Sequence, residues 1–413
     1  MSPRKILVVG AGHAGGTFVA LLRREGYDGE IEMVGAEEHA PYHRPPLSKS
    51  FGPAGADCSV QVKWLYDPDS YQSQGITLSL RESATSIDRD QRRVKLASGR
   101  VVDYDLLVLA TGAEARRLDL PDEGIEGIHT LRDLRDATRL EEAVLSGVPL
   151  VIVGGGYIGL EVAAAARAKG VDVTVLERED RLLARSASRA LSDSLAEHHR
   201  VSGTQILTGT QIVGYKCEAN RVNGVRLEDG SVISCGAVLV GAGATPRQSL
   251  AEQAGLTCKD GIIVDRRCRT SDESILAIGD VTNRPVDGLE MLDGRMRVES
   301  IPSAVDQARH AADLVLGRPA RSPEVPWFWS DQFDLKIKIA GILHGDYETV
   351  QRGELKDGGV ALYHLRGNRL IAAETINAAK DFMVAKRMLS SRCFVDARAL
   401  RDPATDLKSL IAA

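Results

Sequence analysis

Cysteine is scarce in this chain, and none of it is spaced for chemistry. Cys58, Cys217, Cys235, Cys258, Cys268 and Cys393 are scattered over 413 residues, and no two form a C-x-x-C or C-x-x-x-x-C pair. This spacing excludes a zinc ribbon and a four-cysteine iron–sulfur site, and it removes a local dithiol redox centre. Most of the six are expected to be small buried residues, and no metal site is expected. Long apolar runs are also missing: no stretch approaches the ~18 consecutive apolar residues that a membrane span needs. Neither sign of charge dominates. Lys and Arg number 52 against 57 Asp and Glu, a net of −5, so the chain as a whole offers nothing to nucleic acid. The N-terminus passes from Met-Ser-Pro-Arg-Lys almost directly into an apolar strand. That leaves no room for a signal peptide, and the cytoplasm is the expected location.

What the chain does have is two dinucleotide-binding fingerprints. Gly10-x-Gly12-x-x-Gly15 directly follows Ile6-Leu-Val-Val9, and Gly154-x-Gly156-x-x-Gly159 directly follows Leu150-Val-Ile-Val153. Each reads as strand, tight turn and helix, the context that separates a pyrophosphate cradle from a chance glycine cluster. The first glycine permits the turn, the second lets backbone approach phosphate, and the third packs helix on strand. The phosphates then meet free N–H groups at the positive end of the helix dipole. One copy suggests a dehydrogenase. Two suggest a protein that holds two dinucleotides and passes electrons between them.

A fingerprint of this kind is completed by an acid about 20 residues on, for a ribose 2′-hydroxyl. Glu177 closes the second βαβ unit, 18 residues past Gly159. A carboxylate there accepts from a free 2′-hydroxyl and repels a 2′-phosphate, which predicts NADH over NADPH. Arg178 beside it is the kind of residue a 2′-phosphate would want. After the first fingerprint Glu37 is the best-placed acid, and Glu38 reads as solvated. Asp280, at a strand end after glycine, is either a ligand to ribityl or phosphate-side water or the N-cap of a following helix.

Between the fingerprints lies Pro41-Tyr-His-Arg-Pro-Pro-Leu-Ser-Lys49. Its three prolines exclude a helix interior and a central strand, so it reads as a rigid, extended loop. Short strands then run to Val94-Lys-Leu96, and Leu106–Gly112 reads as a buried parallel strand ending at a glycine turn. Ala163–Ala168 is helical by composition, and Val171–Glu177 is the second strand of its unit. Val238–Pro246 resembles Leu106–Gly112 in pattern, and Ser274–Asp280 is another buried strand. Both suggest a return to the first domain. Beyond Gly317 a Pro-rich linker leads to Trp327-Phe-Trp329 and alternating strands such as Leu335-Lys-Ile-Lys-Ile-Ala340, read as a separate α+β domain. The fingerprints are too far apart for a solenoid repeat, and the duplication is domain-sized.

Four segments carry a family resemblance: Tyr42-His-Arg-Pro-Pro-Leu-Ser-Lys49, Gly154-Gly-Gly-Tyr-Ile-Gly-Leu-Glu161, Arg297-Val-Glu-Ser-Ile-Pro302 and Pro326-Trp-Phe-Trp-Ser-Asp-Gln332. With all four in this order, the chain resembles, over essentially its full length, the FAD-dependent NADH:ferredoxin reductases of bacterial oxygenase systems. That group takes in reductases of the putidaredoxin, biphenyl-dioxygenase and rubredoxin types. The resemblance implies an α/β fold of glutathione-reductase type, with two Rossmann-like dinucleotide-binding domains and a C-terminal α+β interface domain. The expected partition is FAD binding by 1–112 and 241–318, NAD binding by 113–240, and an interface domain at 319–413. FAD is expected to be tightly bound, and NADH exchangeable.

Carried over onto this sequence, the resemblance implies that Lys49 sits near the flavin N5 edge, paired with Glu161. A buried cation there stabilises negative charge on reduced flavin, and Glu161 offsets it. Glu161 also meets the nicotinamide amide, and Tyr157 lies where nicotinamide stacks on flavin. The ordinary alternatives are a surface lysine, a helix glutamate and a core tyrosine. On the FAD side the resemblance places Gly10, Gly12, His13, Ala14 and Gly15 of the first turn, then Glu37, Arg44, Lys49 and Ala84. Ala110, Thr111, Gly112, Arg132, Gly279, Asp280, Ser300 and Ile301 complete that side. Trp329, with Trp327 as the lesser candidate, shields one flavin face. On the NADH side it places Gly154, Gly156, Tyr157, Ile158, Gly159, Glu177 and Gly243. Two departures stand out. Position 36 is alanine where some members carry the acidic ribose ligand, leaving Glu37 as its substitute. Ser303 replaces a common asparagine.

The implied reaction is hydride transfer from NADH to FAD, then single-electron transfers to a 2Fe-2S ferredoxin. That ferredoxin feeds a haem-thiolate monooxygenase or a Rieske-type aromatic-ring dioxygenase. Disulfide-reducing relatives carry a redox cysteine pair where this chain has Arg44-Pro-Pro-Leu-Ser-Lys49, so electrons leave outward. Small ferredoxins are usually acidic, and a basic docking patch is expected, with Arg309, Lys336 and Lys338 as candidates. Lys336 and Lys338 alternate on one strand and share a face. The alternatives are a reductase of another acceptor (rubredoxin, nitrite reductase or oxygen) and an NADH-binding regulatory flavoprotein.

Overall fold

Runs of aliphatic residues form two separate parallel sheets. In the computed structural model, which describes residues 3–52, 62–287 and 293–411, the chain divides into two compact units. The first comprises residues 1–43, 62–114 and 245–326, and the second 44–61, 115–244 and 327–413. In the first unit, five parallel strands lie in the order Ile275–Ala277, Leu106–Leu109, Lys5–Val9, Glu30–Gly35, Ile76–Leu80. Leu106–Leu109 is buried throughout, as expected of a parallel strand covered on both faces. One face packs Ile6, Val8, Met33, Val108 and Leu276 against Phe18 and Leu22 of helix His13–Arg24 and Ala308 and Ala311 of helix Ile301–Val315. The other packs Leu7, Val9, Leu107 and Ile275 against Val94, Leu96 and Val102 of a small antiparallel sheet.

The second unit repeats the plan. Its parallel sheet runs Gln205–Leu207, Val173–Leu176, Leu150–Val153, Ala237–Val240, Ile128–His129, with helix Tyr157–Arg167 following the central strand. The C-terminal segment adds a five-stranded antiparallel sheet in the order Trp327–Gln332, Leu335–Gly341, Arg369–Ile376, Gly359–Arg366, Glu348–Glu354. Helix Ala379–Ser391 buries Ala385 and Met388 against Tyr363 and Ala373 of that sheet. Among the described residues no helix is long and apolar enough to cross a membrane.

Four expectations are corrected. Pro45–Ser48 is a single 3-10 turn, not part of an extended loop. Its two prolines occupy the first positions of the turn, where no N–H is needed and their fixed φ already suits it. The strand at Val238–Val240 does not return to the first sheet: it pairs with Leu150–Val153. Its likeness to Leu106–Gly112 reflects the duplication, since both lie beside the strand that leads into a fingerprint. Ile275–Ala277 does return, pairing with Leu107–Leu109. No helix starts after Asp280: the strand Thr282–Pro285 follows, so the N-cap reading fails. Finally, burial does not hold for most cysteines. Cys235 and Cys268 are buried, Cys258 and Cys393 are half-buried and Cys217 is exposed, while Cys58 lies outside the described residues.

Candidate functional site

The two glycine turns share one geometry. A Cβ on Gly10 would stand 2.1 Å from the Ala110 carbonyl oxygen, and one on Gly15 would stand 2.2 Å from that of Gly10. In the second turn the same distances are 2.4 Å from Gly154 to the Gly241 oxygen and 2.5 Å from Gly159 to the Gly154 oxygen. Gly10 and Gly154 also hold φ at +119° and +110°, which side chains disfavour. Backbone packing thus dictates the outer glycines. It does not dictate Gly12 and Gly156, where nothing lies within 4 Å of an added Cβ. Those two are the N-caps of helices His13–Arg24 and Tyr157–Arg167, and neither helix has a side-chain cap. By contrast, Asp133, Ser188 and Ser300 cap their helices. An open glycine before unsatisfied N–H groups is the form of a phosphate seat. Both turns therefore fit a dinucleotide.

Around the first turn, a Cβ on Gly279 would be 2.9 Å from the Ala14 Cβ, so the Gly279–Asp280 corner abuts the helix start. Gln307 holds that corner by accepting the Gly279 N–H at 3.0 Å. It also donates to Ser303 Oγ at 3.1 Å, so the residue replacing the common asparagine supports the corner from one turn earlier on the same helix. His13 is buried at the first helical position, edge-on to His43 at 5.2 Å. Glu37 accepts the Tyr42 hydroxyl at 2.6 Å. Ala84 opens the strand Ala84–Asp88 and is half-buried. Thr111 donates to the Arg247 carbonyl at 2.8 Å, and Gly112 turns the chain with φ +67°. Ser300 caps the helix that Ile301 begins.

Around the second turn, Glu177 accepts the Gly155 N–H at 2.7 Å and the Glu179 N–H at 2.9 Å, which ties the strand-end carboxylate to the glycine loop. Arg178 pairs with Glu179 at 3.2 Å. Gly243, at φ +98°, sits against the Arg185 guanidinium. Ile158 is exposed, whereas Tyr157 is half-buried, edge-on to Phe328 at 4.7 Å. Burial first, then the charge of Glu374, raises the Tyr157 phenol far above its ordinary range.

Lys49 follows the 3-10 turn and is held between two carboxylates. Its ammonium lies 2.8 Å from Glu161 and 3.0 Å from Asp331. Glu161 is buried and also accepts from Ser48 and, at 2.6 Å, from Ser330. Gln332 donates to Ser330 at 3.1 Å, and buried His199 meets Gln332 at 3.0 Å. Burial holds the His199 imidazole down to about 4, so it is neutral. Burial opposes ionisation of Asp331, but Lys49 and Lys336 outweigh it and hold that carboxyl below its usual range. The segment before Lys49 is fixed by Arg44, which donates to the Arg132 carbonyl at 2.6 Å, and the segment after it by Gly52, which donates to Glu141 at 2.6 Å. Trp329 is half-exposed on its strand, 5.8 Å from Trp327 between ring centres. The cluster therefore unites Lys49, Glu161 and the Trp327–Gln332 strand. The motif reading of the sequence missed three members, Ser48, Ser330 and Asp331, although they lie inside segments that it singled out. Among the described residues no group of three or more His, Cys, Asp or Glu is placed to hold a metal ion.

Comparison with known proteins agrees with the resemblance read from the four segments. Residues 4–308 match the pyridine nucleotide-disulphide oxidoreductase family, and residues 327–411 match the reductase C-terminal family. The chain is 40% identical over 407 residues to a probable ferredoxin reductase of Castellaniella defragrans, with 98% of each chain covered. It is 38% identical over 407 residues to rhodocoxin reductase of Rhodococcus erythropolis, covering 98% of this chain and 94% of that one. The crystal structure of a covalent putidaredoxin reductase–putidaredoxin complex matches with a TM-score of 0.94 at 35% identity, covering 100% of this chain and 99% of that one. The chain belongs to the pyridine nucleotide-disulphide oxidoreductase family, among the ferredoxin reductases that carry the reductase C-terminal domain.

Proposed function

We propose that this chain is an FAD-dependent NADH:ferredoxin oxidoreductase that serves an oxygenase, either a haem-thiolate monooxygenase or a Rieske-type dioxygenase. The observation that carries this reading is the pair of glycine turns, each opening an uncapped helix at the end of its own parallel sheet. The relatives named for ferredoxin and rhodocoxin reduction, and the reductase–putidaredoxin complex, support the acceptor. Bound FAD supplies the redox chemistry, accepting two electrons together and releasing them singly.

The residues of the chain bind, orient and set charge. The FAD seat is assigned to Gly10, Gly12, His13, Ala14 and Gly15, with Glu37, Ala84, Ala110–Gly112, Gly279–Asp280 and Ser300–Ile301 around it. Arg44 and Arg132 are assigned to the same cofactor. The NADH seat is assigned to Gly154–Gly159, Glu177 and Gly243, with Glu177 rejecting a 2′-phosphate. Lys49 supplies positive charge to the flavin N5 edge, Glu161 and Asp331 balance it, and Trp329 shields a flavin face. FAD binding by 1–112 and 241–318, NAD binding by 113–240 and an interface role for 319–413 belong to the same proposal. The unit boundaries after residues 114, 244 and 326 support it. A cytoplasmic location, which suits a carrier that draws on NADH, belongs to the same proposal.

Anaerobic titration of the purified flavoprotein with NADH tests the core of the reading. NADH should bleach the visible flavin band stoichiometrically, and reoxidation should follow on adding a 2Fe-2S ferredoxin. A flavin that stays oxidised under excess NADH would leave an NADH-binding regulatory protein as the reading to pursue.

A further inference from the structure

Glu374 is a fully buried carboxylate that the proposed chemistry does not use. It lies on the C-terminal strand Arg369–Ile376, yet its bonds reach the NADH-side half of the same unit. One oxygen accepts the Ser188 backbone N–H at 2.8 Å, and the other accepts the Ser188 hydroxyl. His364, also fully buried, meets the second oxygen at 3.0 Å, with its other ring nitrogen 3.1 Å from the Thr349 hydroxyl. Ser188 is in turn the N-cap of helix Arg189–Val201, accepting the Leu191 N–H at 3.2 Å. The carboxylate thus stands at the positive end of that helix, where dipole and donors offset the cost of burying it.

Ser188 ends the loop that begins at Glu177. Its start and its middle are tied to Gly155, inside the second fingerprint: Gly155 donates to Glu177 at 2.7 Å and accepts from Leu183 at 3.0 Å. Between them, Arg181 bonds the Ala184 and Ala187 carbonyls at 2.8 and 3.0 Å. The loop is therefore a strap, fixed to the glycine turn at one end and to Glu374 at the other. An apolar pair of similar volume would pack the same space without the penalty of a buried charge. Stability alone therefore does not account for a carboxylate here.

We infer that Glu374 is a positioning residue for NADH: from the C-terminal domain, it fixes the 177–188 strap and so sets the affinity of the second dinucleotide seat. The inference rests on the assignment of that seat to NADH. Glu374→Gln keeps the shape and removes the charge. Its dissociation constant for NAD⁺, measured calorimetrically on the FAD-loaded protein, should rise roughly tenfold, within the usual range for coupling between separate sites. KM for NADH should rise in parallel, while kcat at saturating NADH and FAD content hold. A folded Glu374→Gln protein that melts earlier but binds NAD⁺ as the wild type does would reduce Glu374 to a core stabiliser and overturn the inference. Ser188→Ala, which loses the hydroxyl's bonds to Glu374 and to the Leu191 N–H but keeps the backbone N–H bond to Glu374, gives a second measurement if the first variant does not fold. It should weaken NAD⁺ binding less, and the double variant should be non-additive. Unchanged binding in Ser188→Ala, or strictly additive effects, would show that the strap transmits nothing. Failure of the functional reading looks different, because the wild type itself would then not bind NAD⁺.

Discussion

Lys49 illustrates how much a single side chain can be made to do by its neighbours. Alone on a loop it would be a solvated charge. Here Glu161 at 2.8 Å and Asp331 at 3.0 Å fix its ammonium, and the 3-10 turn before it fixes its backbone. Lys49→Ala should slow flavin reduction by NADH roughly tenfold or more, below the loss from deleting a dedicated transition-state donor. Stopped-flow kinetics that match the wild type would remove its proposed role. Glu177→Ala deletes an acceptor that also ties down Gly155. Losing one charge-assisted hydrogen bond should weaken NADH binding by about ten- to a hundredfold and narrow the preference over NADPH. A wild type that prefers NADPH would contradict the assignment. His199 makes a pH prediction. Its folded-state value near 4 lies below the ordinary 6.5, so the unfolded chain takes up the proton first. The stability it confers is complete above pH 6.5 and is lost as pH falls toward 4, by up to about 3 kcal/mol. Melting curves of the wild type should steepen in that window relative to His199→Gln, and parallel curves would show that the ring is not buried neutral.

The glycine turns show which parts of an element are structural and which are functional. Gly154→Ala drives a Cβ to 2.4 Å from a carbonyl oxygen at positive φ, so the turn itself must distort, at a cost of at least ~1–3 kcal/mol. Gly156→Ala meets nothing within 4 Å. Gly156→Ala should therefore melt as the wild type does yet lose NAD⁺ affinity, while Gly154→Ala loses both. Differential scanning calorimetry with and without NAD⁺ separates the two, and a Gly156→Ala protein that keeps full affinity would show that no phosphate approaches there. This contrast explains what was legible in the sequence. Strand, turn and helix over residues 5–24 and 150–167 could be read because apolar runs and glycine spacing are local signals. The turn at Pro45–Ser48 could not, because proline forbids helix interiors but suits helix starts, and no local pattern distinguishes a 3-10 turn from an extended loop. The Lys49 cluster was half legible. Lys49 and Glu161 stand out by motif, but Ser48 and Ser330 reach Glu161 across 113 and 169 residues of sequence, and only the folded chain brings them there. Glu374 carried no signal at all, because a buried carboxylate on an alternating strand looks like an outward-facing one.

At the scale of the molecule the question is how a chain of net charge −5 attracts an acidic ferredoxin. Total charge does not decide it; the field near the docking face does. The three basic candidates are not equivalent. Arg309 is paired with Glu324 at 2.9 Å, and Lys336 with Asp331 at 3.2 Å, so each adds little net field. Lys338 shares a face of strand Leu335–Gly341 with Lys336, but its ammonium stands over the Phe382 ring of helix Ala379–Ser391 at 5.4 Å and has no carboxylate among its described contacts. An aromatic support orients a cation without cancelling its charge. Lys338 is therefore the candidate expected to matter most. Lys338→Glu should raise the apparent KM for ferredoxin several-fold at low salt, with the difference from the wild type shrinking as added salt screens the approach. Ferricyanide, a small acceptor that needs no docking face, should be reduced by NADH at an unchanged rate. Parallel losses with both acceptors would place the damage at the flavin and not at a docking surface. Arg309→Glu, which breaks its pair with Glu324, should have the smaller effect on ferredoxin KM; the reverse ranking would move the docking face to the helix Ile301–Val315.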